Sequence, residues 1–214
     1  MSAESDTGRG TYDTIAGVLL TGGASSRFGR DKSHLAVDGE PAAERISKLL
    51  ANLFSEVLIV GGAPPATVHG RVVADEDGPQ CALRGLVTAL AASSRERVMV
   101  LATDIPLVSA DLLLALVAWP EADAIVPEAE GRLHPLCGLY RREVVLAAAR
   151  PRLVDRRLAL RGLLDEVETV TFGGRDLAEV DPDGVALINV NAPEDLARIA
   201  AAGVSVELPA ADSR

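Results

Sequence analysis

The sequence predicts an α/β fold on a largely parallel sheet covered on both faces, and three observations carry that expectation. Apolar runs alternate with segments of helical spacing across most of the chain. The two strongest runs, residues 15–20 and 97–102, are apolar almost throughout instead of at every second position, as strands buried on both faces are. Each then stops in a polar loop bearing glycine or proline, Thr21-Gly22-Gly23 and Thr103-Asp104-Ile105-Pro106, at the strand ends where α/β proteins gather their ligands.

The remaining elements follow in order. Residues 41–53 place Ala42, Ile46, Leu49, Leu50 and Leu53 at helical spacing behind Pro41, a residue suited to a first turn. A strand over 57–60 is stopped by Gly61-Gly62-Ala63-Pro64-Pro65, and a short one over 71–74 runs into Asp75-Glu76-Asp77-Gly78-Pro79. Residues 83–92 read as a helix leading to the strand at 97–102. Ser109 caps a helix over 109–116, 124–127 is a strand, 134–140 is extended and 142–149 is helical. A weaker helix over 158–164, a strand over 167–172, a final short strand over 187–190 and a helix over 195–202 complete the pattern. No linker, repeat or composition break divides it, so one domain is expected over 14–203, with flexible tails at 1–13 and 204–214.

Composition excludes several classes. Hydrophobic residues make up 48%, enough for a packed core. Charged residues or proline interrupt every apolar run well short of the roughly 18 residues that span a bilayer, and the polar, acid-bearing start fits neither a secretory signal nor a transit peptide. A cytoplasmic protein is expected. A net charge of −10 disfavours a nucleic-acid surface, which needs dispersed Lys/Arg contacts to phosphates. Aromatic residues at 3% are too few for a base-stacking platform. Cys81 and Cys137 stand alone, without C-x-x-C, and read as free thiols.

The loop from Thr21 to Lys32 has the make-up of a phosphate site. Gly22 and Gly23 let a ligand approach the main chain and let successive N–H groups converge on an anion. Arg27, Arg30 and Lys32 add charge, and the planar fork of Arg27 can grip two phosphate oxygens at once. A P-loop is excluded because Arg30 and Asp31 separate Gly29 from Lys32-Ser33, and no G-x-G-x-x-G is present. Asp104, leaving a buried strand ahead of Pro106, suits Mg²⁺ bridging phosphate oxygens, although an aspartate there can equally cap a helix.

The loop resembles the G-G-x-S-x-R-M-G-x-D-K signature of the nucleotidyltransferases, most closely that of the molybdenum cofactor guanylyltransferases, with Phe28 in place of Met. Further segments match in family order. Thr103-Asp104-Ile105-Pro106 corresponds to C-D-T/x-P without its cysteine. His134-Pro135-Leu136-Cys137-Gly138-Leu139-Tyr140 is similar to H-P-L-x-G-L-Y, and Asn189-Val190-Asn191-Ala192-Pro193-Glu194-Asp195-Leu196 is similar to N-V-N-T-P-E-D-L. Gly78 to Leu86 departs from the usual G-P-L-A-G-L.

The resemblance implies a three-layer α/β/α, Rossmann-like nucleotidyltransferase fold with a mostly parallel mixed sheet. It also implies Mg²⁺-dependent transfer of GMP from GTP to molybdopterin, with pyrophosphate released. Leu20, Thr21, Gly22, Gly23, Arg27, Lys32, Asp75 and Asp104 would bind the nucleotide. Arg27, Lys32 and Asp104 would be catalytic, and Asp104 would hold the metal. His134, Asn189 and Asn191 would face the acceptor. Transient contacts with molybdenum cofactor biosynthesis proteins or apo-molybdoenzymes are implied as well.

Several alternatives stay open from the residues themselves. Asp75 can be one acid of a surface loop, His134 a general base or a structural histidine, and Asn191 a helix cap. Arg156, Arg157 and Arg161 can approach the acceptor's phosphate or line a solvated helix face. A cytidylyltransferase, a transferase for another phosphorylated acceptor, or a non-catalytic nucleotide-binding module would share much of the pattern.

Overall fold

A computed structural model describes residues 11–22, 35–190 and 193–207. The elements run β1 (Tyr12–Leu20), β2 (Ala36–Val37), β3 (Glu40–Pro41), α1 (Ala42–Leu53), β4 (Phe54–Val60), β5 (Arg71–Val73), α2 (Ala82–Ala92), β6 (Arg97–Ala102) and α3 (Ala110–Ala118). They continue with β7 (Ala124–Ala129), β8 (Arg132–Leu133), β9 (Cys137–Arg141), α4 (Arg142–Val154), α5 (Leu160–Leu164), β10 (Thr169–Gly173), α6 (Gly174–Val180), α7 (Pro193–Ala201) and β11 (Val206–Glu207).

The main sheet has eight strands, ordered β10-β7-β9-β6-β1-β4-β5 with β8 paired to β7. It is mixed: β1 runs parallel to β4 and β6, β4 to β5 and β10 to β7, while β9 is antiparallel to both β6 and β7. Side-chain alternation along β1 explains the layers, because successive residues point to opposite faces. Ile15 and Leu19 join a core with Ile46 and Leu50 of α1 and Leu112 and Leu116 of α3. Val18 and Leu20 join a second core with Leu86 and Leu90 of α2, Val145 of α4 and Leu163 of α5. Both faces are therefore covered, and the expected three-layer α/β/α architecture is found.

Chain order places the functional end. From β1 the chain passes to β4 and β5 on one side and then crosses to β6 on the other, which makes the β1/β6 boundary a topological switch point. Leu20 pairs with Val60 and with Ala102, so the ends of β1, β4 and β6 are level. The reversed β9 pairs Cys137 with Leu101 and brings residues 134–136 to the same edge.

Some expectations need correction. No strand forms over 187–190. The Asp181 carboxylate accepts the Val185 and Ala186 N–H groups, and Ile188 N–H donates back to Val185, so local turns consume the backbone that a strand would offer. Its apolar side chains are nevertheless buried, with Ile188 and Val190 packed against Leu35, Val37 and Ile199 in a small third core. Past residue 203, Val206 and Glu207 form β11, which pairs with β2, and that strand pairs with β3. Helix α4 continues through Pro151 to Val154, beyond the expected end at 149. Its last turn is held by buried Arg152, whose guanidinium donates to Glu166 and to the Ala159 carbonyl. The Ser109 cap is found, its hydroxyl accepting the Leu112 N–H at 3.2 Å.

One core contact bears directly on the site. The fully buried Tyr140 hydroxyl donates to the Pro135 carbonyl at 2.5 Å and ties the turn before β9 to the sheet. Tyr140→Phe strands that carbonyl, and urea denaturation should register a loss of about 1–2 kcal/mol.

Candidate active site

A chain of main-chain hydrogen bonds stitches the carboxyl edge together. Gly61 N–H donates to Val73, Thr21 N–H to Val60, Thr103 N–H to Leu20 and Ala102 N–H to Leu136, at 3.1, 2.9, 3.3 and 3.0 Å. The loops after β1, β4, β5 and β6 and the turn before β9 thus start from a common, fixed line. Two regions open from it.

The first lies at β1, β4 and β5. Gly61 and Gly62 turn with φ of +75° and +58°, a conformation open to glycine, and they pack directly beside Thr21 and Asp75. A Cβ on Gly22 would lie 3.4 Å from the Gly62 nitrogen and 3.7 Å from Asp75 Oδ2. The Asp75 carboxylate is therefore turned inward, against the start of the glycine loop, and is not one acid of a free surface loop. Arg84 Nη2 holds it at 2.9 Å while Arg84 Nη1 donates to the Gly78 carbonyl at 3.1 Å. The neighbouring Glu76 pairs the other way, with Arg150.

The second region is a cavity of about 880 Å³ that brings together Asp104, His134 and Asn189. Half-buried Asp104 follows β6, and its carbonyl accepts the Val190 N–H at 2.7 Å, which draws Asn189 to the same wall. His134 N–H donates to Pro127 and its carbonyl accepts from Cys137. Burial lowers the His134 pKa, with the Arg132 charge acting in the same direction and Glu130 opposing, so the imidazole is neutral at pH 7. Cys137 also lines the cavity, but burial pushes its thiol up to about 12, which removes it as a nucleophile.

Among the described residues no cluster of three or more His, Cys, Asp or Glu side chains could hold a metal unaided. A single carboxylate still fits Mg²⁺, which is commonly held by one or two carboxylates plus the substrate's own phosphates.

Residues 17–170 of this chain match the family described as the MobA-like NTP transferase domain. The chain belongs to that family. It is 34% identical over 191 residues to a Chloroflexus aggregans protein named "Probable molybdenum cofactor guanylyltransferase", covering 85% of this chain and 91% of that one. It is equally identical, over 193 residues, to the molybdenum cofactor guanylyltransferase of Cereibacter sphaeroides, covering 86% and 94%. Among solved structures, molybdopterin-guanine dinucleotide biosynthesis protein A of Archaeoglobus fulgidus shares the fold at a TM-score of 0.72 and 18% identity, covering 86% of this chain and 95% of that one.

In this NTP transferase the expected site residues are not all alike. Gly23, Arg27, Lys32 and Asn191 lie outside the described residues. Leu20 is buried and its carbonyl is taken by Thr103, while the Thr21 hydroxyl donates to the Val60 and Gly61 carbonyls. The Thr21 N–H is likewise engaged, by the Val60 carbonyl. Arg157, past the end of α4, pairs with Glu166 and Asp155, and none of Arg156, Arg157 or Arg161 lines the cavity. Asn189 is brought to the cavity by a loop and not by the expected strand.

The Gly61-Gly62 turn and Arg84 were not legible as site components. The glycines read as a strand stop, and an arginine one turn into a helix carries no mark that separates it from a solvated face. Only the placement of Asp75 reveals both.

Proposed function

We propose that this NTP transferase moves GMP from GTP to molybdopterin and releases pyrophosphate. The observation that supports the reading is the hydrogen bond from Thr103 N–H to the Leu20 carbonyl, which sets Asp104 of the cavity wall beside the end of β1, where the Gly22, Gly61 and Asp75 region begins. The Gly22, Gly61 and Asp75 region takes the nucleotide and the 880 Å³ cavity takes the acceptor, with Asp104 at their junction on the switch-point edge. The names of the relatives support guanine and the pterin acceptor in particular.

A terminal phosphate oxygen of molybdopterin attacks the α-phosphorus in line. The new P–O bond forms as the α–β bridging bond breaks, and its electron pair leaves with pyrophosphate. No proton must be taken from a nucleophile that is already a phosphate, so neutral His134 serves as a positioning group. Asp104 would hold Mg²⁺, which when bound offsets charge on the phosphate oxygens. Gly22, Gly23, Arg27 and Lys32 hold the β- and γ-phosphates and the charge growing at the α-phosphate, and the protein's contribution is orientation and electrostatics. The reaction is assigned to the cytoplasm, where the two unpaired cysteines suit a reducing environment, and its product passes to apo-molybdoenzymes.

Pyrophosphate release measured for the four nucleoside triphosphates with molybdopterin tests the reading. GTP with acceptor is expected to give the fastest release and GTP alone almost none. Faster release from CTP makes the protein a cytidylyltransferase, and tight GTP binding without release makes it a carrier.

A further inference from the structure

We propose that Arg198 binds the phosphate monoester of the acceptor, and that Glu130 occupies Arg198 in the empty site as an internal stand-in for that phosphate. This rests on the acceptor reading of the cavity. Arg198 of α7 and Glu130 of the β7–β8 hairpin both line the cavity, 68 residues apart in sequence, and Arg198 Nη2 donates to Glu130 Oε1 at 2.5 Å. The pair joins two walls of one pocket. Its members are 48% and 70% exposed, and an ion pair so open to water adds little to stability. It can therefore open without cost to the fold.

The hairpin tip carries a second indication. Glu130 and Gly131 have φ of +51° and +72° in a two-residue loop, a turn that favours asparagine, aspartate or glycine at its first position. Glutamate is a poor choice for the backbone there, whereas its carboxylate reaches Arg198. The surroundings explain why a phosphate would compete. Arg132 and His134 line the same cavity, and the charges of Arg132 and Glu130 are both felt at the His134 ring, so these groups form one corner. The rest of the cavity is acidic, with Asp104, Glu128, Asp181, Asp183 and Asp195 on its walls. An anion is thus directed to the guanidinium corner. A phosphate dianion carries more charge than the Glu130 carboxylate and accepts both prongs of the arginine fork.

Equilibrium dialysis of the full chain against molybdopterin and its dephosphorylated form separates the possibilities. Arg198→Ala is expected to weaken binding of the phosphorylated form about tenfold and to leave the dephosphorylated form within about twofold, with Arg198→Lys intermediate. Glu130→Gln should tighten the phosphorylated form about two- to fivefold. Equal weakening of both forms by Arg198→Ala, or no gain from Glu130→Gln, overturns the proposal. Wild-type turnover of GTP with molybdopterin, measured alongside, keeps the readings apart. Turnover with an indifferent Arg198→Ala sinks this inference alone, while a wild-type chain that neither binds nor turns over the acceptor sinks the function as well.

Discussion

Asp104→Asn is expected to lower kcat for pyrophosphate release by about three orders of magnitude or more, with a much smaller change in the KM for GTP. The substitution keeps the shape of the side chain and removes its charge. It leaves the bond from Val190 N–H to the residue-104 carbonyl in place, so the Asn189 wall should stay where it is. Ile105 behind it remains in the core. The urea midpoint should therefore move by no more than the equivalent of about 0.5–1 kcal/mol. The reason for so large a kinetic effect is the shortage of alternatives. Among the described residues no group of three or more acids, histidines or cysteines could hold a metal in its place. Turnover near the wild-type rate would show that the junction carboxylate only caps the turn before α3.

How much of this was legible in the sequence depended on how far each element explains itself. Strands β1 and β6 announce themselves because burial on both faces keeps residues 15–20 and 98–102 free of polar side chains. Strands β2, β3 and β11 have two residues each, too short for any period to show. The segment at 187–190 has the composition of a strand because it is buried like one, but pattern reports burial and not pairing. The Asp181 carboxylate decides the backbone there, through contacts four and five residues along the chain. Helix α6 was missed because it begins at Gly173-Gly174, a pair that signals a turn. For the site, Asp104, His134 and Asn189 could be expected on one edge because each sits in a recognisable segment. The Arg84–Asp75 pair spans 9 residues and the Arg198–Glu130 pair 68, and neither spacing leaves a local mark.

Gly62→Ala should produce the second large effect, in which stability and nucleotide affinity fall together. At φ of +58° an alanine is strained whatever the space, at a cost of about 1 kcal/mol. Here the space is also missing. The new Cβ would lie 2.9 Å from the Thr21 carbonyl oxygen and 3.1 Å from its hydroxyl, and backbone cannot swing aside as a flexible side chain can. Thr21 is anchored by its N–H and hydroxyl to Val60 and Gly61, so relief of the contact must displace Gly22. Gly39→Ala supplies the comparison, with φ of +81° and nothing within 4 Å of its Cβ. Gly39→Ala should cost about 1 kcal/mol in urea and leave the KM for GTP unchanged. Gly62→Ala should cost about 2–3 kcal/mol and raise that KM about tenfold or more, since a displacement well under 1 Å is enough to misplace a bound phosphate. Equal stability losses with equal KM values would mean that the β4 turn can shift independently of Thr21, and that the glycine loop is positioned by something other than the strand ends.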